Sequence, residues 1–412
     1  MPRSLVFNWR REAERFSPQL RVTDWSGMER RGRTLDTAST DVVITTYGTL
    51  RRDALALSDV TFDYAILDEA QAIKNAGTAS AKAARLLKAQ HRLALTGTPV
   101  ENRIEELWSL LEFLNPGMLG ASTTFRSLAN MAGGDQPDAL RPLARALRPV
   151  ILRRTKEQVA PELPERSEQT VRVTLEEKQR STYDAVLRAS RAEVFEQIDR
   201  LGMARTRLHV LEALLRLRQA ACHTALLPSV GRGKRKAPAG GGESAKFDAL
   251  LPMLAECVAE GHKALVFSQF TSLLALLRAR LDADGVTYEY LDGATRNREA
   301  AVERFQSAAG ASLFLISLKA GGHGLNLTAA DYVFLLDPWW NPAVEAQAID
   351  RAHRIGQTRH VMATRLVAAD TVEEKILILQ ASKRALADAI VGGDERGALA
   401  GITREELELL LS

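Results

Sequence analysis

The stretch from residue 337 to residue 359 contains two guanidinium groups and a carboxamide at helical spacing. Two prolines after an apolar run favour a turn, and we expect a helix to begin near Ala343. On that helix Gln347, Arg351 and Arg354 stand four and then three residues apart, which predicts that they share one face. Such a face suits an anion, because the planar donor fork of arginine stabilises the charge that spreads over a phosphoryl group during transfer. A solvated, arginine-rich helix is the alternative.

Two carboxylates form the second candidate group, in the run Asp68-Glu69-Ala70-Gln71. The apolar run Tyr64–Leu67 before them predicts a buried strand, which would deliver them to the carboxyl edge of a parallel sheet, where ligands of open α/β folds bind. There Asp68 would hold magnesium through its water shell, and Glu69 would orient and deprotonate an attacking water. Taken alone, the pair would also suit the N-terminus of a helix, where negative charge is favourable.

In the sequence around these groups, short apolar runs alternate with segments of helical periodicity. This alternation predicts an α/β fold in which parallel sheets are flanked by helices. The predicted strands are Asp41–Thr46, Tyr64–Leu67, Arg92–Leu95, Ala264–Phe267, Thr287–Leu291, Leu313–Ser317, Tyr332–Leu336 and His360–Val367. From about residue 120 to residue 227 helical periodicity replaces the alternation. Residues 228–245 are rich in glycine, lysine and arginine, and we expect them to be a disordered linker.

Composition excludes several classes of protein. The 412 residues are 46% hydrophobic and 26% charged, as in soluble globular proteins, and the net charge of +4 is too small to indicate a partner. The two cysteines, Cys222 and Cys257, are too few for a disulfide framework or a cysteine-based zinc site, and they fit a reducing cytoplasm. The sequence shows neither a signal peptide nor an apolar run of membrane-spanning length, so we expect no membrane partner.

The run His353-Arg354-Ile355-Gly356-Gln357 resembles the last conserved motif of the Swi/Snf family of DNA-dependent ATPases, within helicase superfamily two. Other segments match the family in order as well as content, from residue 2 to about residue 387. They are Thr45–Tyr47, Asp68–Gln71, Leu95–Asn102, Leu107–Leu110, Leu152–Lys156, Leu163–Pro164 and Leu318–Thr328. The resemblance implies two RecA-like parallel-sheet lobes with a helical insertion between them, an ATP site in the cleft and a groove for double-stranded DNA across both lobes.

The resemblance also implies roles for individual residues. The catalytic residues would be Asp68, Glu69, Gln71, Arg351 and Arg354, with Asp68 holding magnesium through water. The cofactor ATP would contact Thr96, Gly97, Gly322, Gly324 and Gln347. The DNA would contact Thr45, Thr46, Ser268, Gln269, Lys319, Asn326, Thr328 and Trp339.

One motif of the family is missing from the sequence. The phosphate-binding pattern Gly-x-x-x-x-Gly-Lys-Ser/Thr does not occur: around Gly233-Lys234, Pro228 stands where the first glycine belongs and Arg235 where the hydroxyl belongs. The backbone cradle, the lysine and the magnesium-binding hydroxyl of that loop are therefore absent. We expect an incomplete, N-terminally truncated first lobe, a chain that is inactive by itself, and an N-terminal polypeptide partner that supplies the loop.

These expectations divide the chain into five parts. They are a partial first ATPase lobe (1–119), a helical insertion (120–227), the linker (228–245), a second lobe (246–370) and C-terminal helices (371–412).

The function implied is ATP-dependent movement on double-stranded DNA, with displacement of DNA-bound proteins. The alternatives are a non-hydrolysing DNA-binding remnant, one half of a split ATPase, and a strand-separating RNA helicase, which the helical insertion and the Trp339-Trp340 run disfavour. The Ala-, Arg- and Leu-rich composition and the lack of histone-reading modules suggest a bacterial protein of the cytoplasm, associated with the nucleoid.

Overall fold

The computed structural model describes residues 1–27, 30, 34–97, 104–120, 147, 149–152, 154, 156–227, 244–321, 325–387 and 404–412. Contacts divide the chain into two compact units. The first consists mainly of Met1–Thr155, and the second mainly of Lys156–Gly322 and Asn326–Leu386. Within the described ranges, no helix is both long and apolar enough to cross a membrane.

The first unit contains two pairs of parallel strands among its described residues. β1 (Val22–Asp24) pairs with β2 (Val42–Ile44), and β3 (Thr61–Asp68) pairs with β4 (Lys88–Leu95). The described helices of this unit are α1 (Val6–Phe16), α2 (Tyr47–Arg52), α3 (Ala54–Ser58), α4 (Ala79–Leu86) and α5 (Ile104–Leu114), with short 3-10 helices at Arg3–Leu5 and Ala70–Ile73. The predicted alternation of strands and helices is confirmed here.

The β3–β4 pair is buried on one face and exposed on the other. Ala65 and Leu67 of β3 lie in the core of the first unit. The side chains that alternate with them, Tyr64 and Ile66, are 61% and 51% exposed, and Leu93 beside them on β4 is 44% exposed. The prediction that the whole run Tyr64–Leu67 is buried is therefore wrong for one face. A continuous apolar run indicates burial on both faces only where a layer covers each of them, and no described element of the first unit covers this one.

The second unit is built on a six-stranded parallel sheet. Its strands are β5 (Arg166–Val173), β6 (Ala264–Ser268), β7 (Tyr288–Leu291), β8 (Leu313–Ser317), β9 (Tyr332–Leu335) and β10 (Val361–Ala368). Their order across the sheet is β5-β10-β9-β6-β8-β7, and every pair is parallel. All residues of β6 and β8 are buried, as expected for central strands with helices on both faces. The α/β prediction is confirmed.

Helices account for most of the remaining described residues of the second unit. They are α6 (Lys156–Val159), α7 (Glu177–Leu201), α8 (Met203–Cys222), α9 (Ala245–Ala259), α10 (Thr271–Ala283), α11 (Arg298–Gln306), α12 (Leu318–Gly321), α13 (Pro342–Ile349), α14 (Val372–Ala387) and α15 (Arg404–Leu410), with a 3-10 helix at Thr224–Leu226.

Strand β5 is a finding that the sequence did not predict. It lies inside the region 120–227, which was expected to be helical, and pairs along its full length with β10. Its sequence, Arg-Ser-Glu-Gln-Thr-Val-Arg-Val, is mostly polar because most of its side chains are exposed at the edge of the sheet. An edge strand of this kind lacks the apolar run that identifies a central strand. The five domain boundaries stay predictions, and residues 228–243 of the expected linker lie outside the described residues.

Candidate nucleotide and nucleic-acid sites

The carboxylate of Asp68 lies at the carboxyl end of β3, as the sequence predicts. Its Oδ2 accepts a hydrogen bond from the indole Nε1 of Trp9 at 2.7 Å, and its Oδ1 accepts one from the backbone N–H of Glu69 at 2.9 Å. The hydroxyl of Tyr47 donates to the backbone carbonyl of Asp68 at 2.9 Å. Burial raises the pKa of the Tyr47 hydroxyl, so this group remains a neutral donor. Two donors thus hold the carboxylate of Asp68, and a third holds its backbone carbonyl.

Glu69 takes an unusual backbone conformation. Its φ of 51° and ψ of 54° lie in the left-handed region, which costs a residue with a β-carbon about 1–2 kcal/mol. Strain of this kind persists only where the surroundings hold it, and it is concentrated at functional sites. The side chain is held as well: Oε2 of Glu69 accepts a hydrogen bond from Nε2 of Gln71 at 2.7 Å. Because Glu69 precedes only a four-residue 3-10 helix, the alternative of a charge serving a long helix dipole is disfavoured.

Gln71 connects the acidic residues with the end of the neighbouring strand. Its Oε1 accepts a hydrogen bond from the hydroxyl of Thr96 at 2.8 Å, while its Nε2 donates to Glu69. Thr96 directly follows β4, and Gly97 comes next in the chain. The structure therefore brings four predicted site residues, Asp68, Glu69, Gln71 and Thr96, into one group, which we call the acidic edge. Their roles in catalysis stay predictions.

The acidic edge suits magnesium held through water better than magnesium held by direct ligands. The described residues contain no group of three or more His, Cys, Asp or Glu side chains that could ligate a metal. Magnesium usually keeps several waters and takes one or two carboxylates, so Asp68 and Glu69, both partly exposed, fit this mode. The triphosphate fits less well, because the loop that would cradle it does not occur in the sequence.

The two predicted arginines do not lie on a helix. Helix α13 begins as expected, with the side chain of Asn341 accepting a hydrogen bond from the N–H of Ala343 at 2.9 Å. It ends at Ile349, however, so Arg351 and Arg354 lie in the turns that follow. The prediction that both share one helix face with Gln347 is wrong.

The reason lies in the backbone hydrogen bonds after Ile349. The N–H groups of Arg351 and Ala352 bond three residues back, and the carbonyl of Arg351 accepts from the N–H of Leu327. Gly356 then has a φ of 102°, which no helix contains. Helical spacing in a sequence cannot reveal such competing partners. We call residues 350–354 the arginine turn; within it Arg351 is 7% exposed and Arg354 is exposed.

Gln357 has a structural role that the sequence reading missed. Its carboxamide Nε2 donates to the carbonyls of Thr328, Ala330 and Ala352 at 2.8–3.1 Å. Its Oε1 accepts from the N–H groups of Thr358 and Arg359. One buried amide therefore ties the arginine turn to the loop before β9. Its place in the family motif was the available signal.

Several predicted DNA contacts have hydroxyl groups that are already bonded within the protein. Thr45 donates its hydroxyl to the carbonyl of Trp25 at 2.9 Å. Thr46 is buried and caps α2 by accepting from the N–H of Thr49 at 3.1 Å. Ser268 is fully buried and accepts from a backbone N–H two residues later. The structure assigns these three side chains local structural bonds, and contact with DNA stays a prediction for each.

The remaining predicted DNA contacts fall into three groups. Trp339 is only 7% exposed, and its backbone N–H donates to the buried carboxylate of Glu345 at 2.7 Å; its contact with DNA stays a prediction. Asn326 is exposed, whereas Gln269 and Thr328 are partly exposed. The side chain of Lys319, the last of the predicted DNA contacts, lies outside the described residues, as do the predicted ATP contacts Gly322 and Gly324.

Two family models match the sequence. An SNF2-related domain matches residues 1–226, which is more than half of the chain, and a helicase conserved C-terminal domain matches residues 245–356. The two matches fall on either side of the expected linker.

Curated relatives and solved structures resemble the whole chain. YwqA, a candidate ATP-dependent helicase/translocase of Bacillus subtilis (strain 168), is 38% identical over 429 residues, which cover 100% of this chain and 44% of YwqA. CHR11, an ISWI chromatin-remodeling complex ATPase of Arabidopsis thaliana, is 33% identical over 95% of this chain and 37% of its own length. The chain thus spans less than half of the length of these two relatives.

A solved SWI2/SNF2 ATPase core of Sulfolobus solfataricus in complex with dsDNA is 34% identical, with a TM-score of 0.49, and covers 99% of this chain and 84% of its own. The family models decide the assignment, since the first alone matches residues 1–226. The chain therefore belongs to the SNF2-related (Swi/Snf) family of ATP-dependent helicases.

Proposed function

We propose that the chain forms the motor part of an ATP-dependent translocase that moves on double-stranded DNA and displaces bound proteins. The observation that carries the proposal is the acidic edge, in which Glu69, Gln71 and Thr96 form a continuous hydrogen-bonded series beside Asp68. The names of two relatives, helicase/translocase and chromatin-remodeling complex ATPase, support it.

Within this proposal each residue of the acidic edge has a separate task. Bound magnesium and ATP would supply the phosphoryl group and its charge neutralisation. Asp68, whose carboxylate is oriented by Trp9 and by the N–H of Glu69, holds the metal-bound water. Glu69 orients the attacking water and accepts its proton, and Gln71 fixes one of the two Glu69 oxygens for that task. Thr96 holds Gln71 in place.

Arg351 and Arg354 supply positive charge for the developing phosphate charge. The exposed guanidinium of Arg354 is the better candidate for direct contact, because Arg351 is 7% exposed and its backbone carbonyl is bonded to Leu327. Gln347, Thr96 and Gly97 complete the proposed nucleotide contacts.

A polypeptide outside these 412 residues would supply the phosphate-binding loop. The sequence lacks the loop, and the three exposed apolar side chains of Tyr64, Ile66 and Leu93 leave room for further chain on the β3–β4 face. The same observations favour a second candidate function, a DNA-binding protein that does not hydrolyse ATP by itself. DNA contact through the phosphates would be independent of base sequence and would weaken as salt rises.

Replacement of Glu69 and of Arg354 tests the proposal. Glu69→Gln keeps the hydrogen bond from Gln71 but removes the base, so we expect nucleotide binding without turnover. Arg354→Ala should lower turnover by about 1,000-fold, the low end of the range for a phosphate-stabilising arginine, with duplex affinity unchanged. Glu14→Gln, at an exposed position of α1, is the control for loss of one carboxylate.

Turnover by Glu69→Gln or Arg354→Ala at the wild-type rate would contradict the assignment of catalytic roles. An unsubstituted chain that binds duplex DNA but shows no turnover would instead favour the second candidate function.

A further inference from the structure

The arginine turn lies outside any helix, so other groups must hold its shape. The chain enters the second unit at Lys156, and Lys156, Pro164 and Arg166 contact this turn. We call Lys156–Arg166 the strap. It includes two segments that match the family in sequence, Lys156 and Leu163–Pro164, and that the proposed function does not use.

Two cations of the strap meet at one carboxylate of the turn. Nζ of Lys156 lies 2.6 Å from Oδ1 of Asp350, and Nη1 of Arg166 lies 3.1 Å from the same oxygen. Nζ of Lys156 also donates to the backbone carbonyl of His353 at 2.8 Å. The lysine therefore bridges the first residue of the turn and the residue directly before Arg354.

His353 provides the third connection. Its Nε2 lies 2.8 Å from the backbone carbonyl of Pro164. Because a carbonyl can only accept a hydrogen bond, Nε2 must carry the proton. The other ring nitrogen, Nδ1, is buried and has no hydrogen-bond partner among the described residues. Among the described residues, the strap thus provides the hydrogen bond that orients the ring.

These contacts are partly shielded from water. The side chains of Lys156 and Asp350 are 39% and 36% exposed, and burial lowers the pKa of Lys156 while the Asp350 carboxylate acts in the opposite direction. At such exposure each contact contributes little to stability by itself. Together they attach the strap to both ends of a five-residue turn, and in particular to the main chain beside Arg354.

We propose that the strap is a positioning element for the arginine turn, and that Lys156 is its principal positioning residue. By fixing the side chain of Asp350 and the carbonyl of His353, the strap fixes the backbone from which Arg351 and Arg354 extend. The consequence for turnover rests on the proposed function, whereas the consequence for the turn itself does not. Lysine and arginine in this region would otherwise be taken for phosphate contacts, but the ammonium of Lys156 is already engaged within the protein.

Hydrogen exchange tests the strap without any need for ATP. Lys156→Met keeps the aliphatic stem and removes the ammonium, so we expect amides of residues 349–357 to exchange about tenfold faster, with the urea unfolding midpoint unchanged. Asp350→Asn, which leaves Lys156 in place, should give the same local result. Lys156→Arg should restore protection. Arg188→Met, at an exposed position of α7, is the control for loss of a cation. Unchanged exchange in both Lys156→Met and Asp350→Asn would overturn the proposal.

Turnover measurements then show whether the strap acts through Arg354. In a preparation with DNA-stimulated hydrolysis, Lys156→Met should lower kcat about tenfold with KM for ATP and duplex affinity unchanged, since a small misplacement of a catalytic group costs rate. The double variant Lys156→Met/Arg354→Ala should be no slower than Arg354→Ala. Additive losses, or a loss of duplex affinity, would overturn the positioning role. Should Arg354→Ala itself leave kcat unchanged, the proposed function fails, and the exchange result still decides whether the strap holds the turn.

Discussion

Arg21 and Asp41 stand directly before the paired strands β1 and β2, and their side chains form a two-pronged ion pair. Nε and Nη2 of Arg21 donate to the two carboxylate oxygens at 2.9 and 2.8 Å, and the backbone N–H of Arg21 donates at 2.8 Å. The bonds from the guanidinium, followed by the backbone bond, lower the pKa of Asp41 from 3.8 to about 2. The pair therefore sets the register at which β1 meets β2.

Asp41→Asn should remove a stabilisation that depends on pH. A carboxyl group whose pKa is lower in the folded state stabilises that state above its unfolded pKa, and the contribution is lost as the pH falls through the folded pKa. We expect the difference in urea midpoint between wild type and Asp41→Asn to be largest above pH 3.8 and to disappear near pH 2. Asp63→Asn, exposed on β3, controls for the lost charge. A difference that is constant across this range would contradict the prediction.

At the scale of single residues, the sequence located the acidic edge but not its internal geometry. The apolar run before Asp68 predicts where the carboxylates emerge. The left-handed backbone of Glu69 and the bond from Trp9, 59 residues away, depend on tertiary contacts that no local pattern contains. Trp339 is a second case: its burial to 7% exposure and the bond from its backbone N–H to Glu345 likewise depend on tertiary contacts.

At the scale of elements, a buried ion pair joins helix α9 to helix α14 and the sheet of the second unit. Nζ of Lys246 lies 2.6 Å from Oε2 of Glu373 and donates to the backbone carbonyls of Leu336 and Leu366. The two side chains are 1% and 0% exposed. Glu373 in turn accepts from the N–H of Ala368 at 3.0 Å. One lysine thus donates to a backbone carbonyl just after β9 and to another near the end of β10.

Lys246→Met should destabilise the second unit by about 3–5 kcal/mol, because it leaves an uncompensated carboxylate in the core. Lys246→Met/Glu373→Gln should be less destabilised than Lys246→Met, since the amide oxygen can still accept from Ala368 and no charge is left unpaired. Urea unfolding followed by circular dichroism measures both, with Lys82→Met at an exposed position of α4 as the control. A double variant less stable than Lys246→Met would show that the carboxylate stabilises without its lysine.

The elements that the sequence predicted poorly share a physical cause. Central strands such as β6 and β8 are wholly buried and apolar except for a terminal serine, and they were located within one residue. The edge strand β5 is polar and was missed, and α13 ends earlier than its spacing suggests because Leu327 competes for the Arg351 carbonyl. The periodicity of apolar residues in a sequence predicts which elements are buried. It does not predict an element whose side chains are exposed, or a helix end that depends on a distant residue.

At the scale of the whole molecule, the order of motifs predicts the family and the α/β architecture. The uncovered β3–β4 face, with Tyr64 61% exposed, was not predicted. An apolar run in a sequence does not show whether another layer packs against each face of the strand. This face and the missing phosphate loop are two separate observations, one from structure and one from sequence. Both concern whether the 412 residues hydrolyse ATP unaided.

Hydrolysis of ATP by the purified 412-residue chain, with and without duplex DNA and with Glu69→Gln as the blank, decides whether Glu69 serves a DNA-dependent motor. We expect turnover above the blank that duplex DNA stimulates and that rising salt suppresses, once a polypeptide bearing the phosphate-binding loop is added in trans. Turnover that is equal in Glu69→Gln, or that duplex DNA leaves unchanged in the presence of that polypeptide, would refute the proposed function.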